Sequence, residues 1–210
     1  MTRTEITRLR EKASDDRAVL DALLDSTHVG HFALATDAGP LVIPTAVVRD
    51  GDRVLAHGST GSPWMRALAD GAPTCLAVTA VDGLVIARSA FESSIHYRSA
   101  VLFGTCSQLA DQWKGAALDL ITEALLPGRV AELRRPHDKE LAATLVLQLP
   151  IEEWSLKVSA GWPDDPADDV AGDAWGGGLP MRTTYGEPLP APDLRAGIAV
   201  PASVRGFGTR

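Results

Sequence analysis

The stretch HVGHFALATDAGPLVIPTAVVRDGDRVLAHGS, residues 28–59, decides the fold. Its three short apolar runs, HVGHFALAT, PLVIPTAVV and RVLAHGS, are separated by DAGP and DGD, both turn signals, so it reads as a meander of antiparallel strands. The next residues, SPWMRALADG, supply Ser62 as a helix N-cap and Pro63 at the first helical position. Met65 and Leu68 make a short apolar face and Gly71 a terminator, so one short helix follows the third strand.

Working outward, TCLAVTAV, GLVIARSA and YRSAVLFGTCSQL resume the strand pattern, and TLVLQLPI and WSLKVSAG return to it near residue 160. Between them Asp111 opens a long helix through QWKGAALDLITEALL, stopped by Pro127 and Gly128, and His137 to Ala142 adds a helical turn. Upstream, Asp15 to Asp25 places Val19, Leu20, Leu23 and Leu24 at helical spacing behind an acidic first turn. Parallel strands would need a crossover helix between most pairs, so the expectation is a mainly β chain with peripheral helices: a closed antiparallel barrel of six or seven strands. Residues 1–161 form that domain. Residues 162–210 are rich in Pro, Gly and Asp and hold little regular structure. They keep Trp162, Trp175, Leu179, Met181 and Tyr185, which suits an arm packed on the barrel or on a partner subunit.

Composition removes several function classes. The formal net charge of -7 and pI near 5.2 argue against a general nucleic-acid binder. No run approaches the ~18 apolar residues of a membrane span, and the basic opening MTRTEITRLREK lacks an apolar core, so no membrane partner is expected and the chain is placed in the cytoplasm. The two cysteines, Cys75 and Cys106, show no CxxC spacing and read as buried thiols. The acidic run Asp164, Asp165, Asp168, Asp169 and Asp173 lacks an EF-hand pattern and reads as a solvated loop. Neither GxGxxG, GxxxxGK[ST] nor GxSxG occurs, and no metal site is expected.

Two stretches carry the chemistry. Gly58, Ser59, Thr60, Gly61 and Ser62 combine hydroxyls with backbone freedom ahead of a helix N-terminus, a composition suited to a phosphate. His57, directly before them, is suited to hydrogen-bonding a cofactor, to ligating a haem iron or to donating a proton, and equally to a structural role in the turn. The second stretch is the polar knot Glu92, Ser93, Ser94, His96, Tyr97, Arg98 and Ser99 between two apolar runs. Glu92 to Ser94 form its turn, and alternation sets His96 and Arg98 on one face and Tyr97 and Ser99 on the other. Arg98 is either an anion contact or the partner of a carboxylate such as Glu92.

The ordered set VIPTAVVRDGDRVLAHG, DGLVIARSAF, YRSAVLFG, PGRVAELRRPHDKELAATLVLQLPIEEWSLKV and WGGGLPMR resembles the pyridoxamine 5'-phosphate oxidase-related split-barrel flavin binders, in the branch of nitroimidazole-reductase-like proteins. The resemblance implies a split, Greek-key-like barrel in a homodimer whose two interfacial sites bind flavin mononucleotide (FMN), with haem, deazaflavin or no cofactor as alternatives. It implies that Pro44, Thr45 and Ala46 lie along the flavin ring. His57, Gly58, Ser59, Thr60, Ser62, Trp64 and Arg66 would face the ribityl phosphate, and the second subunit would supply Tyr97, Arg98 and Ser99. Relatives often read SRKL where this chain has Ser62, Pro63, Trp64 and Met65, so both of those cations are missing. Trp64 then stacks on a ring, caps the pocket or fills a subunit interface. The implied activity is an oxidoreductase acting on a small molecule, with His57 and Tyr97 as candidate catalytic groups. A non-catalytic cofactor-binding protein and an enzyme that has exchanged flavin for another ligand are the rival readings. The pattern RxHDR of the true pyridoxamine phosphate oxidases is absent.

Overall fold

The computed structural model describes residues 2–209. In chain order the elements are β1 Ala13–Ser14, α1 Arg17–Ser26, β2 Val29–Thr36, β3 Gly39–Asp50, β4 Arg53–Ser59, α2 Pro63–Ala69, β5 Pro73–Ile86 and β6 Ser94–Thr105. They continue as β7 Ser107–Gln108, α3 Asp111–Leu125, α4 Asp138–Ala143, β8 Thr144–Pro150, β9 Glu153–Ser159, α5 Ala167–Val170, β10 Gly177–Pro180 and α6 Ala202–Arg205.

The turns form where the residues allow them. Gly39 and Gly51 take positive φ of 114° and 58° in the two hairpins of the meander, a region that L side chains rarely enter. Asp16 caps α1 by accepting a hydrogen bond from the Ala18 N–H at 2.9 Å. Pro63 opens α2 and Gly71, with φ 87°, ends it, as the sequence predicts.

All strand pairs are antiparallel, in the order β1-β9-β6-β5-β2-β3-β4-β8-β7, with β10 paired to β5 off this path. β3 is the bend: its first half pairs with β2 and its last residues with β4. The path ends at β1 and β7 without joining, so the expected closed ladder is a split barrel that stays open in hydrogen bonds. Side chains fill it instead, because Ala100 and Leu102 of β6, Leu145, Leu147 and Leu149 of β8 and Leu156 of β9 share one buried cluster. Leu20, Leu23 and Leu24 of α1, and Met65 and Leu68 of α2, complete it. Burying each such leucine stabilises the fold by about 1.5–3 kcal/mol. A second cluster lies between α3 (Ala117, Ile121) and Val48, Leu55 and Val146 of the sheet.

Two expectations are corrected. TCLAVTAV and GLVIARSA are one 14-residue strand, β5, because the intervening Val81-Asp82-Gly83 forms an irregularity in the pairing with β6 rather than a turn. The segment after residue 161 holds regular structure: β10 pairs Gly177 to Pro180 with Ile86 to Gly83. Among the described residues no helix is long and apolar enough to cross a membrane.

Candidate functional site

Register assigns each strand residue to a face. Phe32 and Leu34 join the buried cluster, with Ile43 opposite Phe32 packed against it. Their neighbours Val29, His31 and Ala33, paired to Ala46, Pro44 and Val42, occupy the opposite, outer face. That face continues through Cys75, Ala77 and Thr79 of β5 to Phe103, Val101 and Ser99 of β6. None of these residues joins either buried cluster, and Val29 and Val42 are 51% and 57% exposed. The result is a broad, mainly apolar sheet face with no helix packed on it among the described residues, unlike the neighbouring face under α3.

The residues singled out in the sequence divide between the two faces. Pro44, Ala46, Tyr97 and Ser99 are on the outer face. Thr45, opposite Gly30, and Arg98, opposite Ala80 and Val158, point the other way. Arg98 is committed: its Nε and Nη2 donate to the two carboxylate oxygens of Asp82, each at 2.9 Å. This pair holds Asp82 below the usual carboxylate range, chiefly through the hydrogen bonds from Arg98. The partner is thus the bulge residue Asp82 and not Glu92. The turn before β6 spans residues 87–93, and Ser93 Oγ accepts the Ala87 N–H at 3.2 Å across it.

His57 stands on β4 opposite Val146, which is buried beneath α3. The β3–β4 register, carried one residue past Val47 and Ala56, sets it beside Ala46 at the border of the open face. Its Nδ1 is buried and has no hydrogen-bond partner, alone among side-chain polar atoms of the described residues.

The loop after His57 is tightly folded on itself. Ser59 Oγ accepts the Gly61 N–H at 3.1 Å, while the Thr60 N–H and hydroxyl both donate to the Ala143 carbonyl, at 3.0 and 3.3 Å. Ser62 makes no side-chain capping bond and Arg66, exposed on α2, has no ion-pair partner among the described residues, so these two keep their polar groups available. At Gly58 a Cβ would lie 3.3 Å from Met65 Cε, so the absence of a side chain there lets Met65 pack against the strand. Trp64 is partly buried against the core, its ring centroid 6.2 Å from that of Phe32.

His57 on β4 and Tyr97 and Ser99 on β6 are four strands apart in the sheet order. At ~4.8 Å per strand that is about 19 Å measured around the curve of the sheet.

Sequence reasoning missed the contacts that hold the arm. Asp165, expected in a solvated loop, has its side chain 1% exposed and accepts both the Arg88 N–H and Arg88 Nη1, each at 2.8 Å. His96 Nε2 lies 2.9 Å from the Gly161 carbonyl oxygen, and Ser203 binds Glu132 through both its N–H and its hydroxyl. Within a run of five aspartates no spacing distinguishes the one that pairs. Cys75 is half-buried on the outer face rather than buried like Cys106. Among the described residues no group of three or more His, Cys, Asp or Glu side chains is placed to hold a metal ion.

Known proteins sharing this architecture include the FAD and haem binding protein from Mycobacterium smegmatis, 53% identical over 93% of this chain and 97% of that one, with a TM-score of 0.90. The flavocytochrome Anf3 from Azotobacter vinelandii is 35% identical over 99% and 97% of the two chains, at 0.91. A candidate 5-nitroimidazole antibiotic resistance protein from Bacteroides thetaiotaomicron, 16% identical over 70% and 86%, shares the fold at 0.59. No curated protein matches the chain. Residues 16–158 match the pyridoxamine 5'-phosphate oxidase family throughout the split barrel, and the chain belongs to that family.

Proposed function

We propose that the chain is a homodimeric redox protein that binds a flavin, as the dinucleotide FAD, together with haem on the open face of its split barrel, and passes electrons to a small acceptor. The observation that carries the reading is the 53% identity, over 93% of the chain, to a protein described as binding FAD and haem. The description of the second relative as a flavocytochrome favours the same pair over FMN alone.

The residues present suit such cofactors. An isoalloxazine or porphyrin ring needs an apolar slot, and Val29, Val42, Pro44, Ala46 and Ala77 line a mainly apolar face. Phosphate or carboxylate groups need free donors, and Arg66 and Ser62 are uncommitted. A bound flavin and haem would supply the electron-accepting chemistry. The chain's own part is to bind, orient and shield. Arg98, tied to Asp82, stiffens the start of β6 and keeps the outer-face hydroxyls of Tyr97 and Ser99 in place.

The same geometry supports a dimer. A second copy laid on the exposed apolar face would bury it.

The test is titration of the purified protein with FAD, FMN and haemin separately, read by absorbance, with light scattering for the assembly. The expected result is a dimer with saturable FAD uptake, tighter than FMN, and a Soret band with haemin. A monomer, or failure to take up flavin, overturns the reading. Loaded protein that cannot be reduced and reoxidised by small donors and acceptors would point instead to a non-catalytic binding protein.

A further inference from the structure

We infer that β10 and the end of the β5–β6 hairpin extend the subunit interface beyond the barrel, with Trp175 and Leu179 of the C-terminal arm packed on a second copy of the chain. The inference rests on the reading above that the chain is a homodimer. Only residues 16–158 match the family, so this contact is made by a segment outside the matched region. Alternation carries the outer face along β6 without a break, from Phe103 through Val101, Ser99 and Tyr97 to Ile95. On β5 the irregularity at Val81-Asp82-Gly83 inserts one residue, so Val81, opposite Tyr97, and Leu84, opposite Ile95, share that face. Leu179 of β10 stands opposite Leu84 and adds a third strand to the row.

Val81, Leu84, Ile95 and Leu179 all remain exposed. Gly177, two residues before Leu179, turns toward the same face, and a Cβ there would lie 2.7 Å from Trp175 Cη2. The glycine thus seats the indole against the strand, while Trp175 stays 67% exposed. The opposite face of these three strands is treated differently. Val85 is 6% exposed there, and a Cβ at Gly178 would meet His96 Cε1 at 3.4 Å and Trp162 Cζ3 at 3.8 Å. The arm therefore packs against one face of the hairpin and lengthens the other.

Extent and charge select the occupant. From Phe103 to Ile95 the face runs eight residues along β6, about 27 Å at ~3.4 Å per residue, and it spreads sideways over β5, β2, β3 and β10, more than a single planar ring covers. Residues 29–33, 42–46, 75–86, 95–103 and 177–180 set no Asp, Glu, Lys or Arg on it. Asp82, the inserted residue, is bound to Arg98, which points away from this face. Charge returns only at β9, where Glu153 and Lys157 stand opposite Phe103 and Ser99, as at a polar rim. Two such faces meet without like-charge repulsion, and a two-fold pair lets each copy both offer the extension and receive it.

The experiment uses full-length protein and the variants Trp175→Ala and Ile95→Glu, with Trp162→Ala on the opposite face as the control. Folding is checked by circular dichroism, FAD uptake by absorbance, and dimer dissociation by analytical ultracentrifugation over a dilution series. The expected result is a wild-type dimer whose dissociation constant rises on the order of 30-fold in Trp175→Ala, the loss typical of an interface anchor. Ile95→Glu should weaken it at least as much, because each copy would bury an unpaired charge. Trp162→Ala should stay within about threefold of wild type. A dissociation constant within about threefold of wild type in either folded variant would overturn the inference while leaving the dimer reading intact. Equal weakening in Trp162→Ala would also overturn it, since the loss would then trace to the packing of the arm as a whole. An unchanged dimer that no longer takes up FAD would place the cofactor, not a second copy, on the extension. A monomeric wild type would remove the dimer reading and the inference with it. Trp175→Ala decides alone if Ile95→Glu does not fold.

Discussion

Replacing Asp165 by alanine should release the C-terminal arm while leaving the barrel folded. The Asp165 carboxylate is 1% exposed and accepts two bonds from Arg88, one from the backbone N–H and one from Nη1, each at 2.8 Å. Hydrogen bonds to charged groups contribute about 1.5–3 kcal/mol each, and breaking a buried ion pair costs about 3–5 kcal/mol. The Arg88 side chain is 26% exposed, so water re-solvates part of the guanidinium once its partner is gone. The discounted loss is about 2–3 kcal/mol, which at ~1.4 kcal/mol per decade makes opening of the arm roughly 30- to 140-fold more frequent. Native-state hydrogen exchange resolves the change. The amides of residues 177–181, which include the Met181 N–H bonded to the Asp82 carbonyl, should lose protection by that factor, and those of β6 should not. Asp165→Asn keeps an acceptor for the Arg88 N–H and should fall between. Protection of β10 that moves by less than about threefold, or loss of equal size in β6, would refute the argument that this pair holds the arm and little else.

Three further outcomes follow from packing and burial. Gly83→Ala should dislodge β10 without harming the barrel, since its Cβ would lie 2.7 Å from the Leu179 carbonyl oxygen; limited proteolysis should cut after residue 160 faster, with a cost of about 1–3 kcal/mol. Leu102→Ala, at a fully buried position, should lower unfolding free energy by about 2–5 kcal/mol in a denaturant titration. Burial pushes the Cys106 thiol up to about 12 from a usual value of 9.0, so native protein at pH 8 should leave Cys106 unmodified by a thiol reagent that labels it once the chain is unfolded. Because the unfolded thiol ionises first, the Cys106 contribution to stability is whole below pH 9.0 and is lost as pH rises towards about 12, a decline that Cys106→Ala should abolish.

The parts of the fold that could be read from the sequence are those governed by local rules. DAGP and DGD announce the two hairpins, and Ser62, Pro63 and Gly71 bound α2 because caps and terminators act within one turn. The continuous β5 could not be read this way. Val81-Asp82-Gly83 has the composition of a turn, and only pairing with β6 on one side and β10 on the other keeps the chain extended there. Asp82 shows the same limit, since a turn-type aspartate became the bidentate partner of Arg98, 16 residues on. Asp165 is indistinguishable in sequence from its four acidic neighbours, and it differs from them only because the arm passes Arg88.

The candidate site was legible as residue types and not as a place. Strand alternation separates Thr45 from Pro44 and Ala46, and Arg98 from Tyr97 and Ser99, so a contiguous motif cannot all line one ring. The face that remains, from Val42 to Ser99, is apolar on strands that would ordinarily show polar residues to water, and in an antiparallel sheet such a face signals a missing layer. The Nδ1 of His57 at its border is buried without a hydrogen-bond partner among the described residues. A second copy or a ring-shaped cofactor would supply that layer, whereas Nδ1 of His57 is already enclosed by this chain's own residues.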